Sequence, residues 1–222
     1  MTDFAPILKA AEARAGSASA LEARLPAAKS AAELRALGDD RYLSLMSLRI
    51  FRAGLKHSLV DAKWPAFEAA FGGFEPRRVR AMSDEDIEAL LGDRGLIRHG
   101  GKMMAVRHNA AALCEIAGEA GGFGAYLAGW PADDVVGLWD DLTGRFRQMG
   151  GKSAPYFLRM AGKDTFIFSP DVVRGLGVRA GFEGEPKGKV GRRRAQEAFN
   201  AWAAETGRPL CQLSMILALS VG

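Results

Sequence analysis

The chain has 222 residues, of which 48% are hydrophobic and 25% are charged, and its formal net charge is +4. This composition excludes a disordered chain, and the length allows one sizeable core or two small lobes around a cleft. The two cysteines, Cys114 and Cys211, lie far apart without a CxxC or Cys/His cluster, so we expect neither a disulfide framework nor a structural metal site. No apolar stretch reaches the roughly 18 residues of a membrane span and no signal peptide is visible, which predicts a cytoplasmic protein without a membrane partner.

Helical patterns follow one another through the first half of the chain. Residues 2–37 predict two modest outer helices, broken near "GSAS" and Pro26, and we assign residues 1–38 to an N-terminal helical extension. From Asp39 the apolar stripe of "DDRYLSLMSLRIFRAGL" predicts a stronger helix that ends near Gly54. A further helix is expected over "SLVDAKWPAFEAAF", up to the glycine pair that follows.

The rest of the chain is also predicted to be helical. Ser83 with Asp86 three residues later is close to a capping box and predicts a short helix over "MSDEDIEALLGD". A longer helix is expected from the glycine pair at 100 to about Gly121, and another with Pro131 in its first turn. Only "DTFIF" has β character, as a short extended link, so the sequence predicts an all-α fold of about ten helices.

Positive charge is concentrated in one part of the chain. Residues 143–194 contain twelve Lys and Arg against four Asp and Glu, a local charge of +8, so the remainder carries −4. Such segregation favours contact with the phosphates of a nucleic acid. The alternative is a solvated surface with a loose basic loop, and residues 181–193, rich in glycine and charge, are expected to form such a loop.

The stretch "FRQMGGKSAPYFLRMAG" combines glycines, a lysine and the start of a helix. Gly150 and Gly151 permit a tight turn, and a helix that begins near Lys152 or Ser153 presents free amide groups suited to a phosphate. A plain corner between two packed helices is the alternative.

This stretch resembles the hairpin of the helix-hairpin-helix DNA glycosylases, whose pattern is L-P-G-x-G-x-K-[ST]-A. Its second half is matched by Gly150, Lys152, Ser153 and Ala154, whereas Arg147 and Gln148 replace the proline and the first glycine. The resemblance implies a catalytic aspartate beyond a helix and an extended link. Asp171 lies 19 residues after Lys152, and Ser169 is the competing position if the helical phase sets the register.

A carboxylate at that position would stabilise the oxocarbenium character of the sugar and orient or deprotonate the attacking water. Asp171 can also serve as the N-cap of the following helix, and the two roles can coexist. For Lys152 the resemblance implies a phosphate contact, or in bifunctional members a nucleophile that forms a Schiff base. We favour a monofunctional glycosylase.

A longer, ordered resemblance covers residues 42–160. The segments "AGL" at 53–55, "FGGFEPRRV" at 71–79 and "GLIRHGGK" at 95–102 are similar to the 3-methyladenine DNA glycosylase I family. The resemblance implies a two-lobed helix-hairpin-helix glycosylase domain over residues 39–222. Such an enzyme acts as a monomer on double-stranded DNA, without a cofactor, and excises a flipped, damaged base by hydrolysis; we expect an alkylated purine.

Two departures concern the base. The family has a base-reading glutamate where this chain has Arg49 and a tryptophan where it has His57, and the family's zinc site has no counterpart here. Arg49 would repel a cationic base and suits a neutral or acceptor-rich one, unless it faces solvent or pairs with Asp39 or Asp40. Two other functions therefore stay open: a catalytically inactive protein of the same fold that binds damaged DNA, and a helical protein-interaction module.

Candidate site residues follow from these resemblances and from the helical stripes, where each aromatic residue also fits a core position. The base-pocket candidates are Tyr42, Arg49, Phe51, His57, Trp64 and Trp139. The DNA-binding candidates are Arg98, His99, Lys102, Gly150, Gly151, Lys152 and Ser153. The catalytic candidates are Asp171 and Lys152.

Overall fold

The computed structural model describes residues 3–221, which form fourteen α-helices and one 3-10 turn without a strand, and it confirms the predicted all-α fold. The helices are α1 Ala5–Ala15, α2 Ala18–Glu22, α3 Ala31–Ala36, α4 Asp39–Arg52, α5 His57–Ala70, α6 Pro76–Arg80, α7 Asp84–Gly92, α8 Gly100–Ala120, α9 Phe123–Gly129, α10 Val135–Arg145, α11 Ser153–Ala161, α12 Pro170–Ala180, α13 Gly188–Thr206 and α14 Leu210–Leu219; the 3-10 turn is Gly72–Phe74. Within residues 3–221, no helix combines the length and the apolar character needed to cross a membrane.

The chain divides into two compact units. The first contains the described residues up to Lys29, Pro131–Leu138 and the described residues from Gly162 onward. The second contains Ser30–Trp130 and Trp139–Ala161. The predicted division into residues 1–38 and 39–222 stays a prediction, and its residues 1, 2 and 222 lie outside the described part of the chain.

The first unit is built around α14, which packs against α1, α12 and α13. The rings of Phe166 and Phe199 stack with centroids 4.3 Å apart. The carboxylate of Asp164 accepts hydrogen bonds from the N–H groups of Leu210 (2.9 Å) and Cys211 (2.8 Å). Because these amides begin α14 and have no partner inside the helix, Asp164 stabilises the start of the helix that organises this unit.

The second unit is built around α4, which packs against α5, α8, α9 and α11. Three residues of the apolar stripe predicted for this helix, Tyr42, Met46 and Phe51, are 0% exposed, whereas Leu45 and Leu48 are only partly buried. At the C-terminal end of α4 the chain turns at Ala53 and Gly54 before α5 begins. This corner, α8 and α11 position the side chains considered below.

Most predicted helix boundaries agree with the structure, and capping groups explain several of them. Ser83 and Asp86 form the predicted capping box: the Asp86 N–H donates to Ser83 Oγ (3.1 Å) and the Ser83 N–H to Asp86 Oδ2 (2.8 Å). The prediction of two helices over residues 2–37 was wrong, since the described residues of this segment form three. Ser30 and Glu33 form a second capping box that starts α3, an S-x-x-E signal that the sequence contains.

Two further boundaries were predicted wrongly. Pro131 does not lie in the first turn of α10, because Asp134 Oδ1 accepts a hydrogen bond from the Gly137 N–H (3.1 Å) and the helix begins only at Val135. Residues 181–193 are not a loop throughout, since α13 begins at Gly188. Gly188 has a positive φ (63°) at the first position of α13, a conformation that glycine adopts without a side-chain clash, so glycine suits this helix start.

Candidate functional site

The connection between α10 and α11 is a tight hairpin, residues 146–152. Its backbone adopts positive φ at Gln148 (63°) and at Gly151 (62°). Backbone hydrogen bonds from the Ser153 N–H to the Gly150 carbonyl (3.1 Å) and from the Ala154 N–H to the Met149 carbonyl (3.2 Å) close the turn. The start of α11 at Ser153 confirms the predicted helix start.

The hairpin presents part of its predicted DNA-binding set to solvent. Gly150, Gly151 and Lys152 are exposed, whereas the Ser153 side chain is buried. The exposed backbone and ammonium group can contact a phosphate, since neither Gly150 nor Gly151 has a side chain to hinder its approach.

A buried asparagine on α8 clamps the hairpin from behind. The side chain of Asn109, 0% exposed, donates from Nδ2 to the Arg147 carbonyl (3.0 Å) and accepts at Oδ1 from the Arg147 N–H (2.8 Å). Thr143 Oγ1 donates to the Met149 carbonyl (3.3 Å). Sequence reasoning missed Asn109, although a single amide on the buried stripe of α8 was a signal that could have identified it.

Gln148 is the residue that replaces the first hairpin glycine, and its positive φ predicts a stabilising substitution. A residue with a Cβ in this conformation costs about 1–2 kcal/mol, of which the larger chain entropy of glycine in the unfolded state offsets roughly half. We expect Gln148→Gly to raise the free energy of unfolding by about 0.5–1 kcal/mol in urea denaturation. Gly151→Ala is the matched control and should lower it by about 1 kcal/mol; equal effects of both changes would contradict this account.

Three of the predicted base-pocket aromatic residues belong to the core. Tyr42 and Phe51 are 0% exposed and Trp139 is 2% exposed. The Tyr42 hydroxyl donates to the Leu34 carbonyl (2.8 Å), and burial together with the charge of Asp39 raises the pKa of Tyr42 to about 12. A base cannot stack on these rings without displacing core side chains, so we leave them out of the proposed base site.

Trp64 is only partly buried, but its ring is engaged in aromatic packing. It lies nearly parallel to Phe67 and Phe74, with centroid distances of 5.1 and 5.4 Å. The indole N–H donates to Ser44 Oγ (3.1 Å), which in turn donates to the Glu68 carboxylate (2.5 Å). These contacts fix the indole as part of the α4–α5 interface rather than as a free stacking surface.

Arg49 lies near the C-terminal end of α4 and is half-buried. Its guanidinium carbon lies 5.1 Å from the centroid of the Tyr156 ring on α11, an aromatic residue that sequence reasoning missed. Burial lowers the pKa of Arg49; Tyr156 opposes that shift and Arg52 adds to it. Arg49 and Tyr156 therefore form a cation–π pair on two elements that meet beside the hairpin.

The acids suggested as partners of Arg49 are engaged elsewhere. Asp40 pairs with Arg41 (2.9 Å), and Asp39 accepts a hydrogen bond from the Phe123 N–H (2.8 Å). In the described part of the chain, the Arg49 Nε–H is buried without a hydrogen-bond acceptor.

Lys102 does not occupy a place suited to DNA. It is only 7% exposed, and its Nζ donates to the carbonyls of Ala53 (2.7 Å) and Phe51 (3.3 Å). Its ammonium group thus stabilises the last carbonyls of α4, where a helix favours a positive charge. Burial and the charge of Arg49 lower the pKa of Lys102.

The remaining predicted contacts on this unit are exposed. Arg98 and His99 precede α8, and His99 Nδ1 accepts a hydrogen bond from the Lys102 N–H (3.3 Å), which caps the helix. His57, the first residue of α5, is exposed. None of these three side chains is buried by the fold, so each stays available to a ligand.

Asp171 and Ser169 lie at the start of α12 in the first unit. Ser169 is the N-cap, and its Oγ accepts a hydrogen bond from the Val172 N–H (3.2 Å). Asp171 follows Pro170 in the first turn, is half-exposed and forms an ion pair with Arg174. Ser169, and not Asp171, therefore takes the capping role.

Comparisons with known proteins cover the segment that contains α4 and α8. Residues 34–140 match the methyladenine glycosylase family. DNA-3-methyladenine glycosylase 1 of Escherichia coli is 42% identical over 65 residues, which are 29% of this chain and 35% of that enzyme. The described residues of this chain also superpose on 3-methyladenine DNA glycosylase I of Staphylococcus aureus, at 27% identity and a TM-score of 0.50, over 56% of this chain and 77% of that chain.

The resemblance to the methyladenine glycosylases is confirmed. The chain spans about a third of the length of the curated methyladenine glycosylases that it matches. An 8-oxoguanine glycosylase/lyase of Methanocaldococcus jannaschii, solved with DNA containing 8-oxoguanine, covers 95% of this chain and 94% of its own at a TM-score of 0.52 and 15% identity. That likeness concerns the fold alone, and it extends beyond the segment that resembles methyladenine glycosylases.

Proposed function

We propose that the chain is a monofunctional DNA glycosylase that binds double-stranded DNA and hydrolyses the N-glycosidic bond of a damaged base, with alkylated purines as the class expected from its relatives. The observation that carries the proposal is the exposed Gly150-Gly151-Lys152 hairpin, clamped by Asn109, beside a segment that matches methyladenine glycosylases. We further propose that it acts in the cytoplasm as a monomer.

In this proposal the hairpin holds the DNA backbone. The amides around Gly150 and Gly151 and the ammonium group of Lys152 contact a phosphate, and the exposed Arg98 and His99 add contacts from the start of α8. The damaged nucleotide leaves the stack at a cost of a few kcal/mol, which is smallest for damaged or mispaired bases. Phosphate contacts contribute affinity without sequence information, which suits an enzyme that must search all sequences.

Excision then breaks one bond and forms another. Water adds to C1′ of the sugar, and the C1′–N bond breaks with its electron pair going to the nucleobase. The proton of the water passes to a proton-accepting side chain or to solvent. We propose that the carboxylate of Asp171 stabilises the positive charge that develops on the sugar and orients the water. Asp171 and its ion-pair partner Arg174 are both about half exposed, so their interaction is weak and Asp171 can leave Arg174 when DNA binds.

The test is base release from duplexes that each carry one lesion, a methylated purine, a deaminated base or 8-oxoguanine, analysed with and without alkali. We expect wild type to release at least one base, and Asp171→Asn to slow the release at least tenfold. Glu88→Gln, which removes an exposed carboxylate on α7, is the matched control and should leave the rate unchanged.

Each other outcome has a definite meaning. A loss of activity in Ser169→Ala but not in Asp171→Asn would assign the family's catalytic position to Ser169. Strand breaks without alkali, abolished in Lys152→Ala, would make Lys152 the nucleophile of a glycosylase/lyase. Salt-dependent binding without release of any base would contradict excision and leave a damage-binding protein, and absence of DNA binding at low salt would contradict the proposal altogether.

A further inference from the structure

We propose that Arg49, held over Tyr156, makes the base site select neutral bases with acceptor edges and discriminate against bases that carry a positive charge. The inference rests on the proposed function. It departs from the class expected from the relatives, since purines alkylated on a ring nitrogen carry a positive charge, and assigns neutral modified bases to the site. It is based on the contact of Arg49 with Tyr156 in the second unit and on its buried Nε–H, which has no acceptor among the described residues.

Among the described residues, the cations that act on Arg49 are Arg52 and Lys102, and its aromatic neighbour Tyr156 is a neutral phenol. Asp39 and Asp40, the two acids of α4, have other partners. Among the described residues, the Nε–H is buried without an acceptor, and a donor left in that state destabilises the protein. An unpaired buried donor on a half-buried guanidinium fits a site whose acceptor is supplied by a ligand.

The two cations that act on Arg49 are already satisfied by the protein. Lys102 donates to the carbonyls of Phe51 and Ala53, and Arg52 pairs with Asp61 (2.7 Å). Arg49 is therefore the guanidinium at this end of α4 whose donors remain for a ligand. The guanidinium carbon lies 5.1 Å from the centroid of the Tyr156 ring, and a cation–π contact uses the face of the guanidinium while its N–H groups lie along the edge.

The charge of the leaving base determines which lesions the Arg49 guanidinium favours. A neutral base departs with the bonding electron pair and becomes negative, so a guanidinium beside it stabilises the transition state. A base alkylated on a ring nitrogen is already positive and departs neutral, so the same guanidinium opposes its binding and does not assist its departure. A purine with a carbonyl at position 6 and a free N7 also presents the acceptor pair that arginine binds in a bidentate manner.

The strength of the discrimination follows from the charge separation. Two unit charges about 6 Å apart at an effective dielectric constant near 20 repel enough to change an equilibrium about 100-fold, and partial exposure reduces this to about tenfold. We therefore expect at least a tenfold effect on rates when the charge at residue 49 is reversed.

The experiment measures single-turnover base release from duplexes of one sequence that carry hypoxanthine, 8-oxoguanine or the cationic 7-methylguanine. The release rates of wild type, Arg49→Glu and Arg49→Met are compared on the same lesion, so the different intrinsic lability of each lesion does not enter the comparison. We expect Arg49→Glu to slow release of the neutral base that wild type excises at least tenfold, with unchanged or faster release of 7-methylguanine. Arg52→Gln, which removes a charge from the same helix, should leave both rates within about twofold.

Thermal unfolding is the control that shows whether each variant is folded. Because Arg49→Met removes a buried donor without an acceptor, its unfolding temperature should equal or exceed that of wild type, while its excision of the neutral base falls. Equal slowing of neutral and cationic lesions by Arg49→Glu, or release of 7-methylguanine alone by wild type, would overturn the inference and leave the proposed function standing.

Failure of the proposed function itself has a different signature. If wild type releases no base, affinity is measured for duplexes in which the lesion nucleotides carry a 2′-fluorine and resist hydrolysis. A tenfold preference for the neutral lesion that disappears in Arg49→Glu would support the inference in a non-catalytic protein. Equal affinity for all lesions would overturn it.

Discussion

Replacing Asn109 by alanine is expected to lower the free energy of unfolding by about 3 kcal/mol, measured by urea denaturation. The substitution removes both hydrogen bonds to the backbone of Arg147 and leaves its N–H and carbonyl without the partner that positions the hairpin. Both hydrogen bonds are part-buried, so the loss of each costs about 1 kcal/mol, and removal of the buried amide leaves a small cavity behind the hairpin that adds a similar amount.

Asn200→Ala is the matched control for this substitution. The Asn200 side chain makes one exposed hydrogen bond, to the Asp133 carbonyl (2.8 Å), so its loss should cost less than about 1 kcal/mol. Because the Asn109 clamp supports the exposed hairpin, Asn109→Ala should also weaken binding to undamaged duplex DNA in a fluorescence anisotropy titration at fixed salt. Full stability together with full DNA affinity in Asn109→Ala would contradict the clamp.

Gly124→Ala is expected to destabilise the second unit by about 3 kcal/mol, through the close contact between α3 and α9. A Cβ atom on Gly124 would lie 2.1 Å from the carbonyl oxygen of Leu34 and 3.2 Å from the Cα of Arg35. Both atoms belong to the backbone, so the two helices must separate, and overpacking of this kind typically costs about 1–3 kcal/mol. Thermal and urea unfolding measure the effect.

The control lies on the same short helix. Gly129 ends α9, and a methyl group added at its Cα would meet no further atom within 4 Å, so Gly129→Ala should be neutral or stabilise the protein by up to about 1 kcal/mol. The Tyr42 hydroxyl also bonds to the Leu34 carbonyl, so separation of α3 from α9 should expose Tyr42 already in the folded state and reduce its spectroscopic change on unfolding. Equal stabilities of the two variants would show that α3 and α9 are not held in this contact.

The amino-acid sequence determined the fold class and the identity of the hairpin. Helical apolar stripes and capping residues such as Ser83 act over a few residues, so they can be read locally. The turn before α11 was also predictable, because positive φ at a position such as Gly151 restricts the residue types that fit. The ordered match over "AGL" and "GLIRHGGK" indicated the family before any contact was known.

The tertiary structure decided which side of each stripe faces a neighbouring helix. Helical periodicity marks Tyr42 and Phe51 as apolar-face residues, but it cannot distinguish a core position from the wall of a cleft, and both are buried. Lys102, beside two glycines, fitted a phosphate contact by its local sequence. Its ammonium group instead binds carbonyls at the end of α4, about 50 residues earlier in the chain.

The pairings of Arg49 with Tyr156 and of Asn109 with Arg147 likewise join residues on separate elements. No local pattern encodes such pairs, because they depend on how α4, α8 and α11 pack together. The sequence by itself therefore determined the helices, the hairpin and the resemblance, whereas only the tertiary structure decided that the Nε–H of Arg49 is buried beside Tyr156 without an acceptor among the described residues. The physical reason is that secondary structure follows from neighbours in the chain, while burial and hydrogen-bond satisfaction follow from neighbours in space.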